Sequence, residues 1–354
     1  MNDTLLESDI REICDRVREA APALSGKNVV MTGGLGFLGR YFVQVFKRLN
    51  EEYLAEPCRV RILDNLITAG EAGRGLVAPE HMEILHQDVT EPCQLPGPVH
   101  FILHMAGIAS PFYYQAYPLK TLDVSVIGTR QMLELARANP SSRMVFFSSS
   151  EIYGDPDPKH VPIPESYRGN VSCQGPRACY DESKRLGETL LHIYHKQFGT
   201  HTNVIRPFNV FGPGMQEVDY RALPNFAACV KGNRPLSVYD TGNQTRTFCY
   251  ITDAVVGFLL VMLKGVPGEA YNIGNATPEV SILDLVKRME KVLQRDLSIR
   301  TIEYPDSYPA DEPRRRCPDI RKARLQLGYA PLVSLDEGLG RFLGWTERHF
   351  TGAL

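Results

Sequence analysis

No run of this 354-residue chain is apolar for long enough to cross a bilayer; the longest, Ala254 to Leu263, is about half of the roughly 20 residues a spanning helix needs. Its eight cysteines (14, 58, 93, 173, 179, 229, 249 and 317) lack any C-x-x-C pair or zinc-ligand spacing, so no metal site or disulfide framework is expected. Such scatter reads as reduced thiols in a cytoplasmic setting. An excess of one charge is missing as well. Lys and Arg total 39 against 41 Asp and Glu, a net charge of −2, so no basic face for nucleic acid is expected, although one pocket can still be basic enough for a phosphorylated ligand. With 43% hydrophobic and 23% charged residues and no internal repeat, disorder and coiled coil are poor readings. The first 26 residues are broken by acids and bases throughout, unlike a signal peptide. Leu6, Ile10, Cys14 and Val17 recur at helical spacing, so 1–26 reads as an amphipathic helix for packing or a dimer contact. Its polar face is mixed, not the basic face that a membrane surface selects.

What the chain does have is alternation. The β-type run Lys27–Thr32 stops in glycines and is followed by a helical pattern over Phe37–Leu49. Strands follow at Arg59–Leu63, Glu83–His86 and His100–His104, then a helix at Leu122–Ala138 and a strand at Arg143–Ser148. A helix at Tyr180–Phe198 leads to a strand at Thr202–Arg206. Strands alternating with helices predict an α/β fold with a Rossmann-type, doubly wound parallel sheet, whose ligands bind beyond the carboxyl ends of the strands. After Pro207 the strands shorten, and helices at Pro224–Lys231, Ile282–Leu293 and Leu335–Phe350 are separated by irregular stretches. This predicts a smaller α/β substrate domain (about 207–247 plus 276–354) beside a dinucleotide domain (27–206 plus about 248–275) that regains the helix Thr252–Leu263.

Thr32-Gly33-Gly34-Leu35-Gly36-Phe37-Leu38-Gly39 stands where the first strand turns into the first helix. A pyrophosphate needs backbone N–H groups with no Cβ in the way and gains from the partial positive charge of a helix N-terminus. Gly33 and Gly36 suit the turn and the close approach, and Gly39 the packing of helix on strand. Asp64 ends the second strand at the spacing expected of a ribose-binding acid, which favours NAD over NADP because a carboxylate repels a 2′-phosphate. Asp88 and Val89, after the third strand, would border the adenine.

Tyr180 and Lys184 lie four apart, on one face of a helix. A phenol with its free pKa of about 10 is a poor base at neutral pH, and a nearby ammonium favours the phenolate. The spacing alone is common. Its position after a βαβαβ unit, some thirty residues beyond a strand ending in Ser148-Ser149-Ser150-Glu151, gives it weight, because a hydroxyl at a strand end can share a substrate proton with Tyr180.

The ordered motifs TGGLGFLG, LDN, QDV, SSSEIYGDP, GPRACYDESK, RPFNVFGPGM, QTRTFCYITD, YNIGN and PRRRCPDI resemble the nucleotide-sugar epimerase/dehydratase/decarboxylase family of extended short-chain dehydrogenases/reductases, from about Lys27 to the C-terminus. Within it they are most similar to the branch that decarboxylates UDP-glucuronate to UDP-xylose, most specifically in SEIYGDP, GPRACYDESK, ASPFYYQAYPLKT and the R-x-P-D-I at Arg316. The resemblance implies an NAD-dependent homodimeric enzyme. Tyr180 would be the base for the sugar 4-hydroxyl, with Lys184 and Ser149 beside it. Oxidation at C4 would place the C5 carboxylate β to a carbonyl, so that CO₂ leaves, C5 is reprotonated and NADH returns the hydride. Glu151 and Arg316 would act around the sugar carboxylate, and Asn209, Arg221 and Arg246 would contact the diphosphate. The resemblance adds Tyr114 and Tyr239 on the substrate side, and Phe37, Leu38, Asn65 and Lys120 on the cofactor side. Arg314 and Arg315 have no counterpart and read as solvated.

The chain departs from that branch at Gly214 (an arginine there), at Gly107-Ile108 (Ser-Pro) and at Ser125 (an asparagine). Glu151 following Ser150 separates it from the epimerases, with a small or hydroxyl residue there, and from the dTDP-glucose dehydratases, with an Asp-Glu pair. GDP-mannose dehydratases share the Ser-Glu step but lack the surrounding context. A nucleotide-sugar 4-epimerase or 4,6-dehydratase therefore stays open beside the decarboxylase. So does a dinucleotide-sensing protein without turnover, although such proteins typically lose the Tyr or the Lys.

Overall fold

The computed structural model describes residues 5–219, 221–303 and 313–353. Six strands, β1 (Asn28–Thr32), β2 (Arg59–Asp64), β3 (Met82–His86), β4 (Phe101–His104), β5 (Arg143–Phe147) and β6 (His201–Pro207), join the strand Ala270–Ile273 in one sheet. Its order is Ala270–Ile273, β6, β5, β4, β1, β2, β3, and every pairing is parallel. Helices cover both faces, so the inner strands are buried along almost their whole length. The order reverses between β1 and β4, which opens a crevice at their carboxyl ends. The architecture is the Rossmann-type sheet expected from the alternation.

The helix that follows β1 spans Phe37–Glu52 and carries Tyr41, Phe42, Val45, Phe46 and Leu49 into the core. Ile251–Lys264 is buried along nearly all its length, as its apolar run requires, and leads to the edge strand Ala270–Ile273. The N-terminal helix Glu7–Val17 buries Ile10, Ile13, Cys14 and Val17 against these two helices. Its apolar face is thus covered by its own chain, the packing role of the two foreseen. Its Asp9 is fully buried and accepts hydrogen bonds from Tyr250 Oη (2.7 Å) and Arg341 Nη1 (3.0 Å).

The helix expected over 122–138 begins earlier, with Pro118 in its first turn, where a missing N–H costs nothing. It holds a π turn at Val124–Gly128 between the α segments Pro118–Asp123 and Thr129–Ala138. There the Thr129 hydroxyl donates back to Ser125 O at 2.7 Å, a side-chain bond that competes with the regular ladder. The neighbouring helix Ala178–Phe198 approaches this turn closely, since a Cβ on Gly187 would lie 3.1 Å from Ser125 O.

Beyond β6 the strands are short. Thr245–Arg246 pairs antiparallel with Val280–Ser281 and parallel with Arg315–Arg316, which puts Arg246 in register with Arg316. Leu236–Tyr239 pairs parallel with Ile299–Ile302. Arg315 points away from its neighbour's side and forms a two-pronged ion pair with Glu279 (2.6 and 2.9 Å), so it is a paired residue and not merely a solvated one.

Candidate active site

Two adjoining cavities lie at the carboxyl ends of the strands. The smaller, about 200 Å³, is lined by Gly33, Gly36, Phe37, Leu38, Gly39, Asp64, Asn65 and Val89 from the expected cofactor set, and by Thr68, Gln216 and Asp219 from outside it. Gly33 has φ +69°, and a Cβ on it would meet Ala106 Cα at 2.7 Å. Gly36 is different: an added Cβ would meet only Gly33 O, at 3.5 Å, so the space in front of it is open for a ligand. The Asp64 carboxylate accepts from the backbone N–H of Leu35 (2.9 Å) and of Leu66 (2.8 Å), tying the second strand to the glycine turn. Each oxygen keeps lone-pair capacity for a ribose hydroxyl. Glycine turn, helix N-terminus and acid together fit the adenosine diphosphate half of NAD.

Asp88 and Lys120 do not line this cavity. Asp88 accepts from Asn65 Nδ2 at 3.0 Å and from the Thr90 backbone and hydroxyl. Burial works against its charge, but those bonds and Lys120 hold its carboxyl below the usual range. It therefore orients Asn65, which does line the cavity. Lys120 is exposed, its ammonium over the Tyr117 ring.

The larger cavity, about 430 Å³, gathers Ser149, Glu151, Tyr180, Lys184, Tyr114, Asn209, Arg221, Tyr239, Arg246 and Arg316. Its size suits a small organic ligand. Ser149 and Glu151 come from the end of β5, where the Glu151 N–H donates to Ser149 Oγ at 3.2 Å. Tyr180 and Lys184 come from the first turns of Ala178–Phe198. The Tyr180 ring stacks on Tyr114 at 5.7 Å, and Ser149 is hydrogen-bonded to its phenol. Lys184 Nζ donates to Phe147 O at 2.8 Å. Burial, the dominant influence, pushes the Tyr180 phenol up to about 12 and the Lys184 ammonium down to about 7. The phenolate expected from the neighbouring ammonium is thus not favoured here. Lys184 lies 5.8 Å from the ring centroid, and burial outweighs the lowering by Ser149 and Arg221.

Arg316 grips Glu151 with both prongs, Nη1 to Oε1 at 2.6 Å and Nη2 to Oε2 at 2.7 Å. Its Nε is buried without a hydrogen-bond partner among the described residues. Arg177 also binds Glu151. Burial opposes the Glu151 charge, yet Arg177, Arg316 and Arg246 overcome it and hold the carboxyl below its ordinary value. Arg221 is paired with Asp219, its Nε 3.0 Å from both carboxylate oxygens, and Asn209 Nδ2 donates to Thr247 O at 2.8 Å.

Residues 29–274 match the family described as NAD dependent epimerase/dehydratase. The chain belongs to that family. Among the relatives of this NAD-dependent epimerase/dehydratase is UDP-glucuronic acid decarboxylase 5 of Arabidopsis thaliana, 38% identical over 316 residues, covering 89% of this chain and 88% of the relative. UDP-glucuronic acid decarboxylase 1 of Xenopus tropicalis is likewise 38% identical, covering 91% of this chain and 72% of the relative. A solved UDP-glucuronic acid 4-epimerase variant from Bacillus cereus, in complex with UDP-4-deoxy-4-fluoro-glucuronic acid and NAD, superposes with a TM-score of 0.77 at 25% identity, covering 91% of this chain and 100% of that one. The cofactor of this epimerase/dehydratase is NAD. No helix among its described residues is long and apolar enough to cross a membrane.

Two acidic-site partners were not singled out from the sequence of this epimerase/dehydratase. Arg177 and Asp181 stand within GPRACYDESK at i,i+4 spacing, the first as the cap and the second on the first turn of Ala178–Phe198, and both face Glu151. The spacing was the available signal, but nothing local points it at a glutamate 26 residues earlier.

Two of the departures touch the site. A Cβ on Gly107 would lie 3.0 Å from Lys184 Nζ, so glycine leaves room for that ammonium. Gly214 has φ +94° and its carbonyl accepts from the buried Arg40, while a Cβ would lie 2.9 Å from Leu5 Cδ2. An arginine at 214 would be strained by this backbone conformation and would displace the Leu5 side chain.

Proposed function

We propose that the protein decarboxylates UDP-glucuronate to UDP-xylose through a 4-keto intermediate, with NAD recycled. The observation that carries this reading is the arrangement at Arg316: a buried guanidinium holding Glu151 in a bidentate clasp, in the same cavity as Tyr180. Guanidinium forks suit carboxylates, and a site for a sugar carboxylate beside the base for the 4-hydroxyl is what decarboxylation of a β-keto acid requires. The names of the two decarboxylase relatives support the same substrate.

In this reading NAD, when bound, supplies the hydride acceptor at C4 and later returns the hydride. Tyr180 takes the proton of the 4-hydroxyl, with Ser149 sharing it. Lys184 holds the cofactor ribose and stabilises the developing phenolate. Arg316 orients the sugar carboxylate, and Glu151 stands beside C5 through the keto-sugar steps. Asn209, Arg221, Arg246, Tyr114 and Tyr239 contact the nucleotide diphosphate and sugar. The residues lining the smaller cavity, with Asp88 and Lys120 behind Asn65, serve the cofactor. In domain terms, 27–206 with about 248–275 binds NAD and the rest beyond 206 binds the nucleotide sugar, in a cytoplasmic enzyme.

The test is to incubate the purified protein with UDP-glucuronate and follow CO₂, absorbance of NADH and product mass. CO₂ release with no net NADH and a product lighter by CO₂ is the expected result. An unchanged mass with inversion at C4, the activity named for the Bacillus cereus neighbour, would replace this reading with epimerisation.

We also propose a homodimer. Leu119, Leu122 and Ile127 on one helix and Leu186, Ile193 and Phe198 on the next are exposed, an apolar area on neighbouring helices that a second copy would cover. Light scattering at micromolar concentration is expected to give twice the chain mass, and a monomer would contradict this.

A further inference from the structure

Asp181 is a buried acid to which the proposed chemistry gives no task. It follows Tyr180 on the first turn of Ala178–Phe198 and is 7% exposed. One carboxyl oxygen, Oδ2, lies 3.6 Å from Arg177 Nε, while Oδ1 is buried with no hydrogen-bond partner among the described residues. Three charged groups from three elements face it: Arg177 at the start of its own helix, Glu151 at the end of β5, and Arg316 on the short strand Arg315–Arg316. Arg177 also binds Glu151, so one guanidinium serves two carboxyls.

We propose that Asp181 is a positioning residue for Glu151 and Tyr180, acting through the Arg177 guanidinium that it shares with Glu151. While Asp181 carries its proton, Arg177 gives its charge to Glu151 undivided, and no second anion stands behind the phenol. Once Asp181 ionises, Arg177 is divided between two carboxylates. The added negative charge then opposes the anionic forms of both Glu151 and Tyr180, each of which feels Asp181 or its partners. A buried oxygen without a donor disfavours the ionised form. Burial first, then the Glu151 charge, push the Asp181 carboxyl up to about 7, so the exchange falls in the neutral range.

The kinetic part of this proposal rests on the decarboxylase reading, whereas the titration of Asp181 does not. The test uses the full-length, NAD-loaded protein, wild type and Asp181→Asn, which keeps the shape and cannot ionise. An acid whose folded pKa is raised from 3.8 to about 7 contributes stability that is present below the lower value and is lost as pH rises through the upper one. The melting temperature of Asp181→Asn relative to wild type is therefore expected to climb across that window and level off above it. Turnover of UDP-glucuronate is expected to fall on the alkaline side of neutrality more steeply in wild type than in Asp181→Asn, which loses only what Lys184 gives up near 7 and exceeds wild type there by roughly three- to tenfold.

Parallel melting temperatures at every pH, or an alkaline limb as steep in Asp181→Asn as in wild type, would overturn the proposal. So would a uniform loss of rate at all pH, the mark of a merely structural role. If Asp181→Asn does not fold, infrared spectroscopy of the wild type decides. A protonated-carboxyl stretch that vanishes across neutral pH is expected, and its absence is fatal. If wild type releases no CO₂ at any pH, the decarboxylase reading fails on its own, and the melting series still judges Asp181.

Discussion

Tyr180→Phe is expected to lower turnover by about 10²–10⁴-fold while leaving NAD bound, the range that a positioned acid–base group contributes. The substitution removes one oxygen and keeps the ring, so the stack on Tyr114 at 5.7 Å and the packing of the helix are preserved. What is lost is the acceptor for the 4-hydroxyl proton. No other group in the larger cavity replaces it: Ser149 is a poorer base than a phenolate, and Glu151 is engaged by Arg316 and Arg177. Rates with UDP-glucuronate and the NAD content of the denatured supernatant check both halves. Retention of more than a tenth of wild-type rate would mean that another group takes the proton.

The second large effect is expected at Arg316→Ala. One charge-assisted bond to a buried anion is worth roughly 1.5–3 kcal/mol, or about ten- to a hundredfold in rate. Arg316 makes two such bonds to Glu151, at 2.6 and 2.7 Å. Removing it leaves a buried glutamate with Arg177 and Arg246 as its compensation, so some loss of stability accompanies the loss of rate. The decisive comparison is binding of UDP-glucuronate against UDP-glucose by wild type and variant. Selective loss of the glucuronate is expected. An equal loss of both would mean that Arg316 reads phosphate, and the carboxylate assignment would fall. Glu151→Ala should slow the keto-sugar steps in the same selective way.

How much of this was legible beforehand depended on the range of the interaction. The inner strands were readable because a parallel strand buried on both faces must be apolar throughout, as β4 and β5 are. The glycine turn and Asp64 were readable because strand, turn and acid lie within one βαβ unit. Tyr180 and Lys184 drew meaning only from their place after that unit. The pairings Thr245–Arg246, Val280–Ser281 and Arg315–Arg316 are two residues long, too short to carry any periodicity, yet they bring Arg246 beside Arg316. Arg177 and Asp181 became visible as partners of Glu151 only once β5 and the helix stood side by side. The π turn at Val124–Gly128 was invisible because an inserted residue leaves no mark on hydrophobic spacing over so short a stretch.

The buried Asp9 has a consequence for the order in which the chain can assemble. Its carboxylate is met by Tyr250 and by Arg341, 241 and 332 residues further along, and Arg16 on the same helix pairs with Asp253 at 2.7 Å. During synthesis the first helix therefore leaves the ribosome long before these distant partners of Asp9 and Arg16 exist. Until Arg341 emerges, the buried Asp9 lacks the cation that pairs with it. The two ends of the polypeptide act as a clasp that closes last, so trimming the final helix is expected to cost the nascent protein its solubility before it costs it the sheet.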